Sequence, residues 1–407
     1  MLIDNTFKNF QLGNWRQFES VNINLENQVT ILTGQNSSGK TTILNILAKH
    51  FGWNINLIST PYISKKQKKR IWSDVLRIRE EESEDKENDT IAVGSIEYNN
   101  DEICSLSTPV FVSQQYQLKF DNQQGVVGLH IPSHRPFISY EPIKQIPTDP
   151  KTVQQHYQEF QQLLFQTYGS ANVRNPGVIL KQSLVSLALF GYGNEAVNPN
   201  LEYERLFVEF QAVLREVLPN SLGFRRFEIR MPEVVLITDT GQFSLDAMSG
   251  GINDVIGMAW QIHMYGADKE SCTVVIDEPE NHLHPRMQRL ILPSFAKAFP
   301  RYKFIIATHS PFVVSSMAEA KVFGLIYNHN NKIASAEIGE ADLSGTPNKI
   351  LREIFDVPSN LPIWVEDRIK NLIESIEGLS GENKTERLFE ELDRLGLSDH
   401  ISDIDIE

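Results

Sequence analysis

The chain has 407 residues, 41% of them apolar, and a formal net charge of −14. That is enough apolar material for one large or two ordinary domains, but the charge repels nucleic acid overall, so any phosphate-backbone contact needs a local basic patch. Cys104 and Cys272 are the only cysteines: they exclude a disulfide framework and a zinc spacing, and they point to a reducing compartment.

From the start, Met1–Asn5 lack the charged start and apolar run of a signal peptide. No run of about 18 apolar residues occurs anywhere, so a cytoplasmic protein without a membrane span is expected. Phe7–Leu12 and Phe18–Leu25 read as strands leading into the apolar strand Val29–Leu32. The loop Gly34-Gln35-Asn36-Ser37-Ser38-Gly39-Lys40-Thr41-Thr42 follows, and then a helix start, Ile43–Ala48. Strand, glycine loop, Gly-Lys-Thr and helix is a phosphate-binding loop in its required context. Glycines let consecutive N–H groups converge on phosphate oxygens, and the helix N-terminus adds partial positive charge. Gly34, Asn36, Ser37, Ser38, Gly39, Lys40, Thr41 and Thr42 are the candidate nucleotide-binding residues, with Lys40 on the β- and γ-phosphates and the Thr41 hydroxyl on Mg²⁺.

Lys65–Arg70 is a basic cluster, and Arg79–Glu87 is mostly acidic. Such charge segregation reads as a solvated excursion, or as a basic patch for a nucleic-acid backbone or an acidic partner. Strand-like segments resume at Ile91–Tyr98, Val110–Leu118 and Val126–Ile131. From Thr152 to Leu218 the pattern is helical without heptads, an α-helical insertion rather than a long coiled coil. Phe224–Ile237 reads as returning strands. Helix and strand then alternate: Ile252–Tyr265, Thr273–Ile276, Arg286–Phe299, Phe304–Ala307 and Phe312–Met317, closed by a hairpin of Val322–Tyr327 and Lys332–Ile338. That alternation implies a mainly parallel sheet with helices on both faces. The expected organisation is an α/β fold with a mixed sheet in two parts, 1–148 and 223–340, around a helical insertion, 149–222, followed by a helical tail, 341–407.

Three further clusters carry chemistry. Val274–Ile276 ends in Asp277-Glu278. A phosphate-loop enzyme needs one acid for the Mg²⁺ shell, here Asp277, and a second to polarise the attacking water, here Glu278. Thr308-His309-Ser310 follows the next apolar strand, placing His309 where it can reach the γ-phosphate. Ser249-Gly250-Gly251 opens a helix and makes a second anion-binding turn. It lies too far along the chain to continue the first loop, so the economical reading is that it caps a nucleotide held by another subunit.

Together these motifs resemble an ABC-type ATPase head of the soluble SMC/RecF/OLD-like branch: Walker A at Gly34–Thr42, signature at Ser249–Gly251, Walker B at Val274–Glu278 and switch histidine His309. Asp277–Pro285 and Thr308–Pro311 resemble in particular the ATPases of bacterial anti-phage systems such as Septu, PARIS and some retrons. The resemblance implies an ABC-ATPase-like P-loop fold, two ATP molecules sandwiched in a homodimer or higher oligomer, and catalysis by Lys40, Glu278 and His309, with Asn281 and His282 in a loop at the dimer interface. Met248 stands where the signature usually has leucine, and Ile252 where it has glutamine. The Q-loop position falls on Gln114 or Gln115, or on Ile131–Pro136, which lies closer to the expected strand. The stretch after Ile338 is too short for the Toprim nuclease domain of OLD proteins, so the expected effector, such as a nuclease, is a separate polypeptide. The alternative within the branch is a DNA-repair or DNA-clamping head using Lys65–Arg70.

Overall fold

An eleven-stranded mixed sheet organises the computed structural model. In spatial order its strands are Lys119–Asp121, Ile103–Pro109, Thr90–Tyr98, Phe7–Leu12, Phe18–Asn24, Ile333–Ile338, Lys321–Tyr327, Val29–Thr33, Tyr302–Ala307, Cys272–Asp277 and Gly128–Ile131. The structure describes residues 5–63, 70–76, 90–135, 140–146, 151–169, 175–345, 347–353, 363–365, 367, 368, 371, 390 and 392–394. Lys65–Lys69, the whole 79–87 charge run, most of the expected tail helices and the acidic end 403–407 lie outside them.

The two halves of the sheet differ because their sequences differ. From Lys321–Tyr327 to Gly128–Ile131 all neighbours are parallel. Val29–Thr33 and Cys272–Asp277 are buried at every position, the continuous apolar run of strands covered by helices on both faces. Phe18–Asn24 instead alternates, with Phe18, Val21 and Ile23 inward and Glu19, Asn22 and Asn24 outward, as an antiparallel strand with one wet face does. Ile333–Ile338 joins the halves: it pairs antiparallel with Lys321–Tyr327 and parallel with Phe18–Asn24.

Ile103–Pro109 replaces most of the strand expected at Val110–Leu118, of which only Gln115–Tyr116 is a strand, paired with Leu57–Ile58. Ile103–Pro109 buries Cys104, Leu106 and Thr108 on alternate positions. Small residues on that face gave the periodicity little weight.

Three helices, Val153–Gly169, Pro176–Tyr192 and Leu201–Val217, form the insertion. Asn175 and Asn200 cap the second and third with their side chains. Phe160 packs on Trp260 and Phe210 on His263, so the insertion rests on the helix Gly250–Gly266. A small antiparallel sheet, Phe224–Arg230, Glu233–Thr238 and Gly241–Ser244, feeds directly into that helix. Lys181 is buried and joins these parts: its ammonium donates to the Glu141 carbonyl, to Glu233 Oε2 at 3.1 Å and to Asp246. The chain divides into units Met1–Ser344 and Gly345–Glu407; the second contains the helix Pro347–Glu353. Among the described residues, no helix is long and apolar enough to cross a membrane.

Candidate functional site

The parallel strands end together, and their register fixes what meets there. Asp277 pairs with Ala307, and Ala307 with Leu32. The residues just beyond, Glu278, Thr308–His309 and Thr33–Gly34, therefore share one sheet edge, where ligands gather in open parallel sheets.

Gly34 has φ 141°, and a Cβ there would stand 2.5 Å from the Leu325 carbonyl oxygen, so the loop closes only around glycine. Asn36, Ser37 and Thr41 are exposed, Thr42 is half-buried and Ser38 is buried. Gln17 Nε2 donates to the Ser37 carbonyl at 3.2 Å and braces the loop from the second strand. The Lys40 ammonium folds inward and donates to the Gly34 and Gln35 carbonyls at 2.8 and 3.0 Å. Burial lowers its pKa to about 8, against the pull of Asp277, Glu278 and Glu280.

The Thr41 hydroxyl donates to Asp277 Oδ2 at 2.8 Å, joining the two expected metal-binding side chains across 236 positions of sequence. Burial, reinforced by Glu278, pushes the Asp277 carboxyl up to about 6, with the Thr41 bond and Lys40 opposing. Glu278 has φ 48°. Its N–H donates to the Ala307 carbonyl at 2.8 Å, its Oε2 accepts from Asn281 Nδ2 at 3.0 Å, and its Oε1 lies 3.4 Å from His309 Nε2. His309 also hydrogen-bonds the Gly34 backbone; burial first, then Lys40, lowers its pKa.

Sequence reasoning missed Glu280, whose signal was its i+2 spacing from Glu278. It is buried, and its Oε1 accepts from the Thr308 hydroxyl at 2.5 Å and the His309 N–H at 2.9 Å. Burial raises its pKa. Glu280 thus fixes the backbone on which His309 stands. Glu280→Ala should cost about 1–3 kcal/mol in urea unfolding by orphaning two buried donors, and Glu280→Gln much less.

Among the described residues no hydrogen bond joins the turn Ser249–Gly251 to the Gly34–Thr42 loop. Ser249 and Gly250 are exposed, and the Ser249 side chain does not cap its own helix. Gly251 is buried because a Cβ there would stand 2.5 Å from the His282 carbonyl oxygen.

Between the Q-loop alternatives, the segment that reaches the site is 131–135. Arg135 donates to the Asp277 and Glu278 carbonyls at 3.3 and 3.0 Å, and Asn281 Nδ2 to the Ser133 carbonyl at 3.2 Å. The Gln115 side chain instead accepts from Asn56.

Two protein families match: one described as AAA domain over residues 10–183, the other as AAA domain, putative AbiEii toxin, Type IV TA system over residues 235–315. The retron Ec83 probable ATPase of Escherichia coli is 29% identical over 26% of this chain and 18% of its own length. The Septu protein PtuA of Bacillus thuringiensis is 22% identical over 46% of this chain and 50% of its own. Over these stretches the chain is similar to retron ATPases and to Septu PtuA proteins. Its matches to the curated relatives span only 10% to 50% of their lengths. The SMC head domain of Thermotoga maritima is similar with a TM-score of 0.39 at 13% identity, over 82% of this chain and 98% of that one.

The site of this ATPase relative is strongly acidic. One lysine faces Asp277, Glu278 and Glu280, an excess of negative charge that suits a divalent cation better than a bare triphosphate.

Proposed function

We propose that the chain binds and hydrolyses ATP with Mg²⁺ as a homodimer, and that the ATP-closed dimer regulates a separate effector, a nuclease by chemistry, in anti-phage defence. The observation that carries this reading is the exposed, uncapped turn Ser249–Gly250 at the start of a 17-residue helix. Such an exposed turn, with free helix N-terminal N–H groups, would serve as half of a pocket that a second copy completes. The relatives' names, retron ATPase and Septu PtuA, support the pathway.

The residues fit ATP and Mg²⁺. Gly34, pressed against the Leu325 backbone, lets the loop turn sharply, and the Thr41–Asp277 pair supplies two hard oxygen donors. Bound Mg²⁺ offsets phosphate charge and orients the outer phosphates. Thr41 and Asp277 would hold it. Lys40 would leave its loop carbonyls for the β- and γ-phosphates. Glu278 would take a proton from the attacking water, its carboxylate aimed by Asn281 and His309. His309, already touching both Gly34 and Glu278, would donate to the γ-phosphate. Ser249, Gly250 and Gly251 of the partner head would close over that phosphate.

The test is turnover against protein concentration. Turnover per chain should rise with concentration, and light scattering should show the mass doubling when ATP and Mg²⁺ are added. A monomer that hydrolyses ATP at a concentration-independent rate overturns the shared pocket.

A further inference from the structure

We infer that Arg135 and Asp254 form a latch within each head, by which the Ser249–Gly251 turn controls the placement of Glu278. The inference rests on the shared-pocket reading above and adds the route by which one pocket governs the other.

The latch has two ends. Asp254 lies one helical turn beyond Gly250, so it moves with the turn. Its Oδ2 accepts from His282 Nδ1 at 2.8 Å and lies 3.7 Å from Arg135 Nε. The other end of the guanidinium donates to the carbonyls of Asp277 and Glu278, and to that of Pro132 at 3.3 Å. The Arg135 side chain is 7% exposed and that of Asp254 13%, so water screens their attraction little and a shift in either changes it steeply.

Glu278 is where such a pull matters. Its φ of 48° is a conformation a glutamate holds only when its surroundings impose it. Arg135 on its carbonyl and Ala307 on its N–H do so. Asn281 adds a second strand, bridging the Ser133 carbonyl and the Glu278 carboxylate. The segment 131–135 therefore grips Glu278 by backbone and by side chain, and grips the helix through Asp254. Gly251 close against the His282 carbonyl is a further contact, this one between the helix and the loop that follows Glu278. Close packing passes a displacement on rather than absorbing it.

In a shared pocket, the turn of one head reads the nucleotide held by its partner, whereas Glu278 serves the nucleotide of its own head. The latch thus makes hydrolysis in one pocket depend on occupancy of the other. Arg135 and Asp254 are positioning residues, since neither touches the phosphate loop through a hydrogen bond described above.

The test uses the full chain carrying Asp254→Asn, isosteric and still able to accept from His282, with Asp254→Ala beside it. ATP titrations of phosphate release and light scattering with ATP and Mg²⁺ are the readouts. Wild type should be sigmoidal, with a Hill coefficient of about 1.5–2. Asp254→Asn should dimerise with ATP as wild type does, turn over about tenfold more slowly or worse, and show a Hill coefficient of about 1. Should Asp254→Ala fail to fold, the isostere decides. Wild-type turnover and cooperativity in Asp254→Asn overturn the latch and leave the shared pocket standing. Slow turnover with sigmoidal response retained overturns it too, as does loss of ATP-driven dimerisation, which would place Asp254 in the interface. A wild-type chain that neither dimerises nor hydrolyses ATP refutes the shared pocket itself, and the latch with it.

Discussion

Glu278→Gln should bind ATP, dimerise and then stall. The amide has the shape of the carboxylate, and turning its oxygen toward Asn281 Nδ2 preserves the 3.0 Å bond. What is lost is a group able to accept a proton from water, together with the negative partner 3.4 Å from His309 Nε2. Removing a general base costs about 10²- to 10⁴-fold in rate. If the loop, Lys40 and Thr41 hold the nucleotide as proposed, affinity should change far less than turnover. A stable dimer with one nucleotide per chain should therefore accumulate on ATP addition, read by light scattering and by nucleotide extracted from the dimer peak. Turnover within about tenfold of wild type would move the water-activating role to another group, and Glu280, buried and occupied with the His309 backbone, is poorly placed for it. A variant that stays monomeric with ATP would instead count against the shared pocket.

The strongest local patterns were legible in the sequence, although the alternating strand Ile103–Pro109 was missed. The buried strands Val29–Thr33 and Cys272–Asp277 were readable as uninterrupted apolar runs, and the loop between strand and helix carried its own signature. The mixed α/β sheet followed from these. What could not be read was chemistry assembled from distant pieces. Arg135 lies in the Ile131–Pro136 segment named as a Q-loop candidate, but its own role could not be read there, because its partners are carbonyls 142 and 143 positions away. Backbone carbonyls have no sequence identity, so a residue that works by gripping them leaves no motif. Asp254 was overlooked beside the glycines of the signature for a similar reason: its partners, His282 and Arg135, come from two other segments. Gln17, which holds the Ser37 carbonyl, lies two strands ahead of the loop it braces.

Lys40→Ala should lower ATP turnover about 10²- to 10³-fold while still binding nucleotide, and the pH dependence of the wild-type chain should say why. The ammonium contributes through charge delivered at the transferred phosphate, and removing one such donor typically costs about 10²- to 10³-fold in turnover. Its pKa of about 8 in the free chain reflects burial. A triphosphate favours the charged form, so the bound chain must carry a higher value. Below pH 8 the free protein already holds that proton, and ATP affinity should be flat. Above pH 8 the proton must be taken up with the nucleotide, and affinity should fall about tenfold per pH unit until the bound-state value is passed. Asp277 titrates with the opposite sense. Its carboxyl, raised to about 6, must lose a proton to meet a cation, so the Mg²⁺ requirement should grow as pH falls below 6. Fluorescent-nucleotide titrations from about pH 5 to 10, at several Mg²⁺ concentrations and repeated on Lys40→Ala, separate the two groups: the alkaline slope belongs to Lys40 and should vanish in the variant, whereas the acidic Mg²⁺ dependence should survive. A wild-type affinity that stays level to pH 10, or a variant that keeps the slope, would mean that Lys40 remains on the Gly34 and Gln35 carbonyls when nucleotide binds and that the loop backbone alone holds the phosphates.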